Sequence, residues 1–165
     1  MAKKASQKPE PGLRFVFLCY GLLMLYLLFI RGRHAVDGVP YLDQVQENYN
    51  LMPFHTIGNY WHILTNKAYY LAKWSYGQYL EQVCHSVVNL VGNVVMFVPL
   101  GYFIPRVGTK YRRFFRCMGL VFLLILAVEI LQLVTLLGSC DIDDLILNIL
   151  GAAMGYILWK LRNKK

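Results

Sequence analysis

Charge is scarce in this chain: Asp, Glu, Lys and Arg make up 16% of 165 residues, and the acids number nine. Catalytic signatures are scarcer still. There is no Gly-rich phosphate loop, no GxSxG elbow and no internal repeat, which sets aside P-loop nucleotide chemistry, the serine-hydrolase turn and repeat solenoids. His85, Cys84, Glu129 and the Asp cluster are suitable metal-ligand types, but neither HExxH nor a paired CxxC spacing supports a metal, and no cofactor is implied. A cleavage site is missing too. Lys3, Lys4, Lys8 and Arg14 precede the first apolar run, yet no small-residue site follows it, so the run reads as an uncleaved signal anchor.

What the chain has in quantity is hydrocarbon. Hydrophobic residues make up 57% of it, and the charges sit between long apolar runs instead of being spread through them. Four runs, at 15–30, 83–105, 114–137 and 142–159, are each near the length a helix needs to cross the bilayer. The expected fold is therefore all-α: a polytopic membrane helical bundle with four transmembrane helices, one domain over 1–165, and a long aromatic-rich outer loop at 31–82.

Thirteen of the seventeen basic residues fall in the N-terminal tail, the 106–116 connection and the C-terminal tail. By the positive-inside rule these regions are cytoplasmic, and the 31–82 connection, whose charges balance, faces outside. The formal charge of +8 then reports topology, with attraction to anionic inner-leaflet lipids, and not nucleic-acid binding.

That orientation assigns depths. His85 and Asn89 fall in the outer half of the second span and Asn93 near its middle; Glu129 and Gln132 lie outside the midplane of the third; Asp143, Asp144 and Asn148 lie in the outer half of the fourth. Glu81, His85, Asn89 and Asn93 recur every four residues, forming one stripe. Asp141, Asp144, Asn148, Gly151 and Gly155 step by three or four, as in a packing seam, and the simplest arrangement turns all three polar faces together.

Caps and glue explain part of this pattern. Asp141 is placed to cap the fourth helix, and GAAMG at 151–155 fits a small-xxx-small contact. Glu129 and Asp144 are harder, because an acid near the centre of a span costs roughly 2.5–3.5 kcal/mol on insertion scales. Glu129 is expected to be protonated, bonded to an Asn, or paired with His85, Arg31 or Arg33. Pro99 and Gly101 are expected to bend the second span and Pro105 to end it. Cys84 and Cys140 both fall at the outer face, as two free thiols or a disulfide.

The outer connection holds seven tyrosines, two tryptophans and Phe54. These read as an interfacial belt, a lid or a stacking surface, with a helix along the membrane from Asn59 to Gln82.

NLVGNVVMFVPLGYFIP at 89–105, EILQ at 129–132 and DIDDLILNILGAAMG at 141–155, preceded by NLMPFHTIGNY at 50–60, resemble in this order the VanZ-like family of bacterial integral membrane proteins. Many members carry an Arg shortly before the acidic cluster, near Gly138; this chain lacks it, so any ion pair it would make with Asp141 or Asp144 must be replaced or absent. The family is named for a protein giving low-level resistance to teicoplanin, a glycopeptide antibiotic, with no established mechanism, so the resemblance implies a phenotype without a reaction. Joined to the polar pattern, it implies an outer-leaflet pocket of Asn89, Asn93, Glu129, Gln132, Asp141, Asp144 and Asn148, with His85, that engages membrane lipids, a lipid-linked peptidoglycan precursor or the antibiotic. Three alternatives stay open. The same pocket modifies a headgroup with Glu129, Asp144 and His85 as candidate catalytic groups, the chain is a scaffold, or it transports as a homo-oligomer through its Gly151 and Gly155 face.

Overall fold

The computed structural model describes residues 11–30 and 35–163. Its long helices are α1 (Pro11–Leu25, continued by a π-helical turn at Tyr26–Ile30), α5 (Tyr76–Val107), α6 (Phe114–Thr135) and α7 (Ile142–Arg162). All four are long and apolar enough to cross a membrane. Between α1 and α5 lie three short helices, α2 (Tyr41–Glu47), α3 (His55–Thr65) and α4 (Lys67–Leu71). A two-residue strand, β1 (Tyr49–Asn50), pairs in parallel with β2 (Cys140–Asp141).

The 31–82 connection is therefore a built cap over one end of the bundle in its described part. Buried Gln44 organises its start, accepting from the Val36 amide at 2.8 Å and donating to the carbonyls of Val36 and Val39. The expected membrane-parallel helix is broken at Asn66 into α3 and α4, and α5 starts at Tyr76 instead of 83. The reason is local. Ser75 and Gln78 form a reciprocal capping box that satisfies the first turn of α5.

At the other end of α5, Pro105 does not stop the helix, which runs on to Val107. Proline removes one donor and is tolerated where neighbouring helices enclose it, and Pro105 is fully buried. At about 1.5 Å per residue, α5 is roughly 48 Å long, which exceeds a hydrocarbon core of about 30 Å.

The bundle is centred on α5 and α7, whose residue numbers rise together along their contact. Small residues make this approach close: a methyl placed on Gly151 would run into the Val94 carbonyl, one on Gly155 into the Val98 carbonyl, and one on Gly101 into the Ala152 carbonyl. The Gly151 and Gly155 face is thus occupied within the chain, which removes it as the expected surface for a second copy. Against this pair, α6 turns a stripe with four-residue spacing: Cys117, Val121, Ile125 and Glu129 are all buried. Glu129 ends a core stripe. The least buried long helix is α1. It is held by the Tyr20 hydroxyl donating to the Met96 carbonyl at 2.8 Å and by Phe17 against Phe103.

Candidate functional site

The opening of α7 is built from three carboxylates with three different partners. Asp141 is the N-cap, accepting from the Asp143 amide at 2.9 Å, and it also accepts from the Thr56 hydroxyl at 2.6 Å and the Asn50 amide at 3.3 Å. Asp143 is fully buried and accepts from the backbone N–H groups of Phe54 and Ile57 at 2.5 and 3.0 Å. Those amides open α3, where a helix offers unpaired donors and positive partial charge. The contact holds Phe54 at φ 63°, a left-handed conformation that costs a bulky residue about 1–2 kcal/mol. Asp144 points the other way, into the bundle, where the Asn93 side chain donates to it at 2.5 Å.

Glu129 reaches the same end from α6. It is 4% exposed, and its Oε2 accepts from the Asp141 amide at 3.3 Å. Its described partner is thus a backbone N–H, neither an Asn nor His85; Arg31 and Arg33, the other expected partners, lie outside the described residues. Nearby Gln132 donates to the Leu28 carbonyl at 2.9 Å. Asn148 is 3% exposed, and its Oδ1 is buried with no hydrogen-bond partner. Such an atom costs roughly 1–3 kcal/mol when left unmet.

A cavity of about 490 Å³ opens between these groups. Glu129, Gln132, Asp144 and Asn148 line it from α6 and α7, and His85, Asn89 and Asn93 from α5. Seven of the eight residues marked out from the sequence therefore share one space. Asp141 does not line it; its oxygens are turned to Asn50, Thr56 and its own helix. On the rim, Asn89 donates to the His85 carbonyl at 2.9 Å, and the His85 ring meets the Tyr60 ring edge-on at 5.9 Å.

At Gly138 a side chain would meet the Gln132 amide. The contacts given to Asp141 and Asp144 are neutral donors: Thr56, Asn50 and Asn93. Cys140, in β2 outside the spans, has its thiol pushed above the ordinary range by burial first, and then by the carboxylates of Glu129 and Asp141. Cys84 and Cys140 are both free thiols. Among the aromatics of the cap, Tyr70 packs on Tyr69 and Trp74, at 5.1 and 4.6 Å, and its hydroxyl is hydrogen-bonded to His62 at 2.9 Å, while Phe54, Trp61 and Tyr76 are exposed.

Asp143, Asn50 and Thr56 were not marked out by spacing. Asn50 and Thr56 lie in the NLMPFHTIGNY segment, which was the signal available for them. Asp143 had none, since both its partners are backbone groups.

A family model described as VanZ/LLP1 matches residues 17–163. Protein VanZ of Enterococcus faecium is 26% identical over 151 residues, covering 89% of this chain and 76% of that protein. No solved structure gives a significant match.

Proposed function

The chain belongs to the VanZ/LLP1 family of membrane proteins, and on that premise we propose that it contributes to glycopeptide resistance by engaging a lipid headgroup or lipid-anchored ligand at the outer leaflet. One observation carries this reading: seven polar side chains from three helices, two of them carboxylates, line a single cavity in a chain whose other long faces are hydrocarbon. Ionisable groups in a span are costly, and they persist where they face a partner or a water-filled space. Asp144 and Glu129 supply negative charge or hydrogen bonds to an amine, Asn89 and Asn93 orient them, and Tyr60 of α3 stands against His85 beside them.

Teicoplanin susceptibility of a Gram-positive host tests the reading. Wild type is expected to protect, and Asp144→Asn and Glu129→Gln to lose most of that protection at equal membrane abundance. Equal protection by both variants would reduce the acids to caps and glue. Absence of protection by wild type would end the antibiotic link.

The orientation has its own test. In a cysteine-free background, a membrane-impermeant maleimide is expected to label Leu51→Cys in intact cells, and Asn163→Cys only after permeabilisation; both sites are exposed. The reverse pattern would move the cavity to the cytoplasmic leaflet.

A second reading follows from His85 lining the same cavity as both carboxylates. A base and an acid on one space can modify a headgroup. That reading requires a new species in extracted cell-envelope lipids, whereas binding without chemistry leaves the lipid inventory unchanged.

A further inference from the structure

The polar cavity has an apolar neighbour. Leu28 of the π-helical turn lines both it and a second, apolar crevice of about 140 Å³ enclosed by α1, α5 and α6, with Met24, Phe97 and Val128 among its walls. That crevice in turn shares Gly21 and Leu25 with a groove on the face of α1 that leads to Arg14. Polar and apolar spaces thus follow one another along α1.

Two of the amides at the polar end are spent inside the protein. The Asn93 amide is given to Asp144 and the Gln132 amide to the Leu28 carbonyl. Two carboxylates, Glu129 and Asp144, line the space. No Lys or Arg lies among the described lining residues. An anionic head would meet like charge there, whereas an ammonium supplies several donors and the opposite charge.

Resting on the reading of the cavity as a headgroup site, we propose that cavity and crevice form one site for an amphiphile with a primary-amine head, its hydrocarbon tail lying between α1 and the α5–α6 pair. The π turn fits this role. It sits where the two spaces join, and such turns recur at functional sites because they interrupt the regular hydrogen-bond ladder. Here the Leu28 carbonyl is held by Gln132 from across the cavity, which ties the wall of the tail crevice to the polar end.

The experiment uses the full chain in phosphatidylcholine nanodiscs with two photoprobes, octadecylamine and octadecanoic acid, each carrying a mid-chain diazirine, mapped by peptide mass spectrometry. The amine is expected to label the crevice at Met24, Phe97 and Val128 roughly tenfold more than the acid does, the ratio that about 1.4 kcal/mol of charge discrimination produces. The double variant Glu129→Gln with Asp144→Asn is expected to erase that preference. Gly21→Phe should block crevice labelling, since a side chain there enters open space without meeting backbone. Leu124→Trp, on the crevice rim, provides a second block if the first does not fold.

Equal labelling by amine and acid overturns the proposal, as does labelling of outward-facing Val91 and Leu123 as strong as that of the crevice. Labelling that survives both blocking variants overturns it too. No antibiotic enters this assay, so the two readings fail separately. Crevice labelling with no protection of cells removes resistance and leaves the amphiphile site; protection that depends on Asp144, with even labelling, does the opposite.

Discussion

Gly155→Leu is expected to prevent folded protein from accumulating. Even the first carbon of the new side chain would overlap the Val98 carbonyl, which belongs to backbone and cannot swing aside as a side-chain tip would. The helices would have to separate, and the Asn93–Asp144 hydrogen bond and the burial of Ala152 and Tyr156 depend on their closeness. Overpacking of side chains costs typically 1–3 kcal/mol. A backbone clash at the centre of the bundle should exceed about 3 kcal/mol, a large part of the 5–15 kcal/mol that holds a typical domain together. Membrane abundance and thermal unfolding in detergent read the effect. Gly119→Leu is the control, because a side chain there meets open space. A Gly155→Leu protein with wild-type abundance and melting temperature would show that the α5–α7 contact is looser than described.

Asp143→Ala is the second large effect, and it should be local. The carboxylate is fully buried and serves two backbone donors of α3. Hydrogen bonds to a charged group contribute about 1.5–3 kcal/mol each, so losing both should cost roughly 3–6 kcal/mol. That cost falls on the docking of the cap. The amides of Phe54 and Ile57 would have no acceptor, and Phe54 would leave its left-handed conformation. Residues 49–57 should become protease-sensitive and exchange their amide hydrogens faster, while α5, α6 and α7 stay assembled. Exposed Asp37→Ala should do neither. Unchanged protection of 49–57 in Asp143→Ala would mean that β1–β2 pairing and the Asp141 contacts to Asn50 and Thr56 hold the cap without it.

These two effects differ in how far they could be read from the amino acids. Gly151 and Gly155 stand four apart on an apolar helix, and that spacing announces a close contact whoever the partner is. Glu129, Asp144 and the Asn stripe were legible for a related reason: a polar residue in a span must face something, and helical periodicity says which residues face it together. Asp143 offered neither cue. It looks like one more first-turn acid, and its role depends on amides that come close only when the cap folds back across the bundle. The early start of α5 was written in Ser75 and Gln78, but Tyr76, Gln78 and Glu81 dilute the apolar signal that defines a span. Pro105 misled in the opposite direction, because one missing N–H weakens a helix less when the residue is enclosed by other helices. The crevice beside α1 had no sequence signal. It arises from how three apolar faces fail to close on one another.

The glycine seam carries one more implication. Asp144 and Asn148 stand on α7 ahead of Gly151, and the seam is what clamps that helix in rotation as well as in distance. It acts as a keyway: with Gly151 locked against Val94, the azimuth of every earlier residue on α7 is set. A single alanine inserted between 145 and 150 would leave composition, span length and hydropathy almost unchanged, yet it would turn Asp144 by about 100°. The carboxylate would then leave the cavity, and Asp143 would turn with it away from the α3 amides it holds.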